Sequence, residues 1–357
     1  TAVVPNVESR DHPHHHHGWW WKTLLAGLGL WVITIVVTAF TGNSNLVPTL
    51  ILLGSFLVPF CVVLFAIERV TGSISTLQLI LAFFVGGIFG VLGASLLEAD
   101  LHESFWVYGL VGLIEEFVKV VLLVVFGWRT VPKTAKQGAL LGATIGAGFA
   151  AFESAGHAFN AAITSRGIDL VSLLETELVR AILAPVGHVM WTAILGAVIF
   201  GAAGGGRRFR WSWWILLAYA CVSLLHAAWD SAADIASFFA VLFTGDALQQ
   251  LQNGTLQQST ANQVEALAML LYVIGLAFVS AVGIVTLWLV LRHYRRAERD
   301  GGAEVVEPRA EEAAPPLTAP HVTDPHAEGT LLSLSGAERD NDVPFDRRRV
   351  TRAAPTA

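Results

Sequence analysis

Ionisable side chains are sparse in the apolar part of this sequence, and those present fall into four short runs. Glu115, Glu116 and Lys119 lie in GLIEEFVKVVLLVVFGW, and Glu153 and His157 lie in GATIGAGFAAFESAGH. Arg180 and His188 lie in RAILAPVGHVMWTAILG, and His226, Asp230 and Asp234 lie in LLHAAWDSAAD. Two adjacent carboxylates in a low dielectric cannot both ionise cheaply, which suits one of them to general acid–base work. Lys119 can keep the other ionised. His188 and His226 can donate to a developing oxyanion, with Asp230 orienting one of them. Such a set could activate water against a peptide bond. Glu153, His188 and His226 also have the ligand types of a zinc site, so a divalent metal such as zinc is a candidate cofactor. Neither an HExxH motif nor a GxSxG elbow near a base is present.

Helical spacing decides which groups can meet. Lys119 is i+4 from Glu115 and i+3 from Glu116, so it can partner either. Glu153 with His157, and His226 with Asp230, are i, i+4 pairs on single faces. Arg180 can snorkel or pair with Glu177, His157 is expected to be peripheral, and Asp234 to be a helix-end residue. Each group alone has a structural explanation, as an ion cluster or a helix–helix hydrogen bond. Their occurrence together in four segments argues for a site.

The elements that hold them are membrane spans. Of the 357 residues 54% are hydrophobic and 14% charged, against about 25% charged in soluble domains. A soluble fold could not hide that much apolar surface. The net charge is −6, half of it in the C-terminal tail, which gives nucleic-acid binding no support. Cys61 and Cys221 both lie in apolar runs and read as small core residues. The fold class expected is an all-α polytopic membrane protein. Eight stretches are long enough to cross about 30 Å of hydrocarbon: 20–40, 46–67, 76–98, 104–127, 135–159, 178–201, 211–234 and 266–291. Trp19 to Trp21, and Trp211, Trp213 and Trp214, suit interfacial belts.

Loop charge alternates. Basic residues Arg10 and Lys22, Arg69, Arg129 with Lys133 and Lys136, Arg207 with Arg208 and Arg210, and the arginines from Arg292 to Arg299 mark one side. The intervening loops are acidic or lack basic residues, apart from Arg166. The positive-inside rule then places both termini in the cytoplasm of a plasma membrane. Depths counted from the outer ends at 1.5 Å per residue are roughly 18 Å for Glu116, 15 Å for His188, 12 Å for His226 and 10 Å for Glu153. The polar set is therefore reachable from the extracytoplasmic side.

The chain divides into three regions: a cytoplasmic segment 1–19 that includes His14 to His17, a helical domain 20–294, and a disordered cytoplasmic tail 295–357. The 244–264 loop is polar enough for a short amphipathic surface helix. Pro185 can kink the sixth span three residues before His188. Gly138, Gly142 and Gly146 form a small-residue stripe that lets a neighbour approach the fifth span closely. Ala, Arg and Trp usage suggests a high-GC bacterium.

The segments EEFVK (115–119), GFAAFE (148–153), RAILAPVGH (180–188) and HAAWD (226–230), each in a span and in this order, resemble the PrsW family of intramembrane proteases. That family lies within the CAAX-prenyl endopeptidase and Abi superfamily, and the resemblance covers roughly residues 105–235. It implies an intramembrane endopeptidase that cuts membrane-tethered proteins, with site-1 cleavage of an anti-sigma factor as the best-known role. One of Glu115 and Glu116 would activate water, with Glu115 preferred. Glu153 stands where the CAAX branch has a histidine, and so would assist the base or bind a metal. His188 and His226 match histidines of the superfamily. Asp230 stands where the CAAX branch often has Asn. The family is often classed as metalloproteases while the CAAX branch resembles glutamate proteases, so both types stay open. A proton-coupled transporter and a catalytically idle scaffold are the competing readings; the first predicts pH-driven flux, the second indifference to loss of either glutamate.

Overall fold

The computed structural model describes residues 18–304 apart from 71–73, 103, 105 and 166, with side chains described as far as residue 297. The histidine run and the tail beyond 304 lie outside the described residues. Helices are α1 (Trp19–Thr41), α2 (Val47–Arg69), α3 (Thr76–Glu98), α4 (Val107–Gly127) and α5 (Ala135–Ala162). A two-stranded hairpin, β1 (Ile163–Thr164) and β2 (Gly167–Ile168), leads to α6 (Leu170–Leu183). Then come α7 (His188–Gly201), α8 (Trp213–Asp230), α9 (Ala232–Phe243), α10 (Ala247–Gln252) and α11 (Gln258–Glu304).

Seven of the described helical stretches are long and apolar enough to cross a membrane, with α6 and α7 counted as one. The eighth expected span is α4, whose 21 residues are apolar around Glu115, Glu116 and Lys119. The protein is an all-α polytopic membrane protein. Polar side chains start several helices: Ser75, Thr134, Asp169 and Ser212 each accept a backbone N–H from the first turn of the helix they precede. The Glu68 carboxylate, near the end of α2, accepts the Gly18 and Trp19 amides at the start of α1 and ties those two ends together.

Helix α5 lies at the centre, packed against α7, α3 and α2. Its glycine stripe explains the closest of these contacts. A Cβ at Gly138, Gly142 or Gly146 would fall on the carbonyl oxygens of Gly196, Thr192 and His188, all on α7. The neighbour admitted by the stripe is therefore the helix that carries His188. Gly112 does the same for α4, where a Cβ would meet Ser223 O of α8 at 2.7 Å. That contact sets Glu116 beside His226.

Several expectations are corrected. The sixth span is interrupted outright, not merely kinked: α6 ends at Leu183, a 3-10 turn covers Ala184–Val186, and α7 restarts at His188. Pro185 removes a helix hydrogen bond and Gly187 supplies an irregular conformation (φ −101, ψ −123), so the helix cannot continue. The seventh span stops at Asp230, where the Ser231 hydroxyl bonds back to Ala227 O. The chain then enters the apolar helix α9, where the sequence suggests a loop. Only Ala247–Gln252 of the 244–264 stretch forms a short separate helix, and α11 already starts at Gln258. At the other end α11 runs past the composition change at 295 to Glu304. Cys221 is exposed on the outer surface, unlike buried Cys61.

Lys133 belongs by sequence with the loop charges, yet it is fully buried. Its ammonium donates to the carbonyls of Gly127, Trp128 and Thr130 at the end of α4, beneath the Phe209 ring. Burial holds its pKa below the ordinary lysine value.

Candidate active site

The four polar runs converge. The Lys119 ammonium lies 3.1 Å from Glu115 Oε2, 2.8 Å from Glu116 Oε1 and 2.9 Å from His188 Nδ1. An ammonium has three donors and no acceptor, so all three are used and His188 Nδ1 must accept. His188 Nε2 then donates to Glu153 Oε2 at 2.9 Å. Lys119 thus partners both glutamates, not one, and α4 is joined to α7 and through it to α5.

His226 completes the arrangement from α8. Its Nδ1 meets Glu116 Oε1 at 3.0 Å. Its Nε2 lies 3.3 Å from Asp230 Oδ2 and 3.6 Å from Glu115 Oε2. Glu116, Lys119 and His226 are essentially without exposure, whereas Glu115 retains 7%. Two buried polar atoms here, Glu116 Oε2 and Trp191 Nε1, have no hydrogen-bond partner among the described residues.

Glu153 is the outer member. It accepts from Arg180, and His157 Nε2 lies 3.4 Å away. Arg180 also donates to Ser154 Oγ. The pairing of Arg180 with Glu177 does not form: Glu177 is buried and accepts the Trp31 indole N–H at 2.8 Å. His157 is more than half exposed. Asp234 opens α9 and accepts the Tyr108 hydroxyl at 2.7 Å.

A cavity of about 110 Å³ opens onto Glu153, Arg180, His188 and Asp230, walled by Trp229 and by Tyr272 of α11. Three aromatic residues join the site without having stood out in the sequence. Trp191 packs 5.2 Å from the His188 ring and 4.7 Å from the His226 ring, and its i+3 spacing from His188 was the available signal. Phe149 faces the Lys119 ammonium at 3.9 Å, a cation–π contact. Tyr272 had no signal.

A family model described as the PrsW family intramembrane metalloprotease matches residues 17–251, well over half of the chain. The chain belongs to the PrsW family. It is therefore an intramembrane protease, acting on a protein substrate in a membrane setting. No curated protein and no solved structure gives a significant match.

The PrsW description implies a metal, and the donor set can be tested against one. Among the described residues Glu115, His188 and His226 bring one ligand atom each within 4.8 Å of one another. Glu153, expected as a ligand, is not in that group; Glu115 takes its place. Two imidazoles and a carboxylate are the ligand types of a catalytic zinc site. Each imidazole is also backed by a carboxylate on its other nitrogen, Glu153 behind His188 and Glu116 behind His226. The donor set fits. The Nδ1 lone pair of His188 that a metal would use here serves Lys119, so ammonium and metal are alternatives at that atom.

Proposed function

We propose that this PrsW-family protein cleaves a membrane-tethered protein, of the anti-sigma-factor kind, on the extracytoplasmic side of a bacterial plasma membrane. Both termini then lie in the cytoplasm, as the loop charges favour. The observation that carries the reading is the convergence of Glu115, Glu116, Lys119, Glu153, His188 and His226 from four helices around one buried ammonium.

Within that set the roles differ by what each atom is free to do. Glu116 is fully buried and engaged by Lys119 and His226, so it holds the site together. Glu115 retains exposure and faces His226 Nε2, which makes it the carboxylate to take a proton from water. His188 has both nitrogens engaged and orients Glu153 rather than donating to an oxyanion. His226 Nε2, between Glu115 and Asp230, is placed to pass the proton to the leaving amine. Arg180, a quarter exposed at the cavity, supplies positive charge to the carbonyl oxygen as it becomes an oxyanion. A zinc-type ion bound by Glu115, His188 and His226 would supply Lewis-acid polarisation of a carbonyl or of water. Either way the chemistry depends on Glu115.

The test is cleavage of a single-span substrate by the purified protein in detergent, with the cut located by mass spectrometry. The reading expects a cut in the extracytoplasmic juxtamembrane segment. A cut on the cytoplasmic side, or pH-driven flux in proteoliposomes without cleavage, contradicts it.

A further inference from the structure

Tyr272 belongs to two cavities. It lines the catalytic cavity together with Glu153 and Asp230. It also lines a groove of about 520 Å³ formed by residues of α9 and α11 together with Leu251 of α10. Val241, Leu251, Leu256, Val264 and Met269 line that groove, and Glu265 is the one charged residue among its lining. The 235–265 stretch that builds one wall carries no Lys or Arg.

We propose that this groove holds the extended segment of the substrate that flanks the scissile bond, with Tyr272 marking the threshold of the catalytic cavity. The inference rests on the protease reading above and adds the route and the chemistry of what is recognised. A protease must present its substrate as an extended strand, because a helical backbone keeps the scissile carbonyl in its own hydrogen bonds. From Ala261 to Tyr272 the wall of α11 rises about 16 Å at 1.5 Å per residue. That distance spans about five residues of extended chain at about 3.3 Å each. The lining selects large apolar side chains on the face turned to the groove. Glu265 disfavours an acidic residue beside it and favours a basic one.

The experiment uses the full chain and a single-span substrate that the wild-type protein cleaves. A benzophenone amino acid is placed at Val264, at Met269 or, as a control, at Val179 of α6, which lines the catalytic cavity, in a Glu115→Gln background so that bound substrate persists. The groove positions are expected to crosslink the extracytoplasmic juxtamembrane segment of the substrate. Crosslinks at both groove positions only to lipid, or only to a second copy of this chain, while Val179 still captures substrate, overturn the proposal.

Kinetics give the second arm. Ala268 of α11 lines the groove; Ala268→Phe, which fills it, is expected to raise KM about tenfold with kcat nearly unchanged, as lost uniform binding does. Gly275→Ala, on α11 but in neither lining and with nothing within 4 Å of an added Cβ, should keep the wild-type KM. An unchanged KM in a folded Ala268→Phe protein overturns the proposal while leaving the protease reading intact. That reading fails separately, if the wild-type cut maps to the cytoplasmic side of the substrate.

Discussion

Lys119 Nζ and His188 Nδ1 lie 2.9 Å apart, and this contact fixes the chemistry of both side chains. The ammonium uses its third donor there, and the imidazole is held as the Nε2–H tautomer that donates to Glu153. The same nitrogen would be a metal ligand in the group formed with Glu115 and His226. Replacing Lys119 by Met should therefore free that lone pair. Lys119→Met is predicted to bind Co2+ at least about tenfold more tightly than the wild type, a gain of about 1.4 kcal/mol. Absorption titration of the purified protein reads this directly. Equal affinity in the two proteins would show that the ammonium and the metal do not share the atom.

The stripe of Gly138, Gly142 and Gly146 makes the position of His188 depend on residues that touch no reacting group. A methyl at Gly142 would collide with the backbone of Thr192, which is not the far end of a flexible side chain. Gly142→Ala is predicted to cost about 1–3 kcal/mol of stability, the range for overpacking. Activity should fall by about 100-fold, as displacements near 1 Å do at sites that depend on orientation. Gly156→Ala on the same helix meets nothing within 4 Å and should leave both unchanged. Thermal unfolding in detergent and a cleavage assay distinguish the two.

Asp169 caps α6, the helix that brings Arg180 to Glu153. The Ser172 backbone N–H and hydroxyl, and then the Val171 N–H, favour its charged form and hold its pKa below the ordinary 3.8. A carboxylate with a depressed folded-state pKa stabilises the fold above its unfolded value, and that contribution fades as pH falls through the folded value. Asp169→Ala should therefore melt at a lower temperature than wild type at pH 7. The gap should narrow when the comparison is repeated below the ordinary carboxylate range. A gap independent of pH would contradict the assignment.

Much of this is legible in the sequence for a simple reason. Spans announce themselves by length and apolarity, and a charge inside one is expensive enough to mark a site. The positions of Glu115, Glu116, Glu153, His188 and His226 stand out by that cost alone, and the glycine stripe indicates the close packing on α5. Local patterns do not supply which partner each polar atom finds. Arg180 pairs with Glu153 over its near neighbour Glu177 because the Glu177 side chain is directed to Trp31 and Gly54, on α1 and α2, while Glu153 and Ser154 of α5 meet the guanidinium. Lys133 reads as a solvated loop charge, but its ammonium lies beneath Phe209 and takes the carbonyls of Gly127, Trp128 and Thr130 where α4 ends. The interruption before His188 needs Pro185 and Gly187 to act together, where Pro185 alone suggests only a kink. Helix α9 escapes a search for spans because its 12 residues are too few to cross a membrane.

The central claim is that Glu115 takes the proton from the attacking water while Glu116 holds the cluster. Wild type, Glu115→Gln and Glu116→Gln should be compared on one single-span substrate under single-turnover conditions, each checked for monodispersity. The account predicts that Glu115→Gln is folded and loses at least about 100-fold in cleavage rate, the scale of a general base. Glu116→Gln should instead show a lowered melting temperature along with reduced cleavage. Cleavage by Glu115→Gln at the wild-type rate would contradict the account.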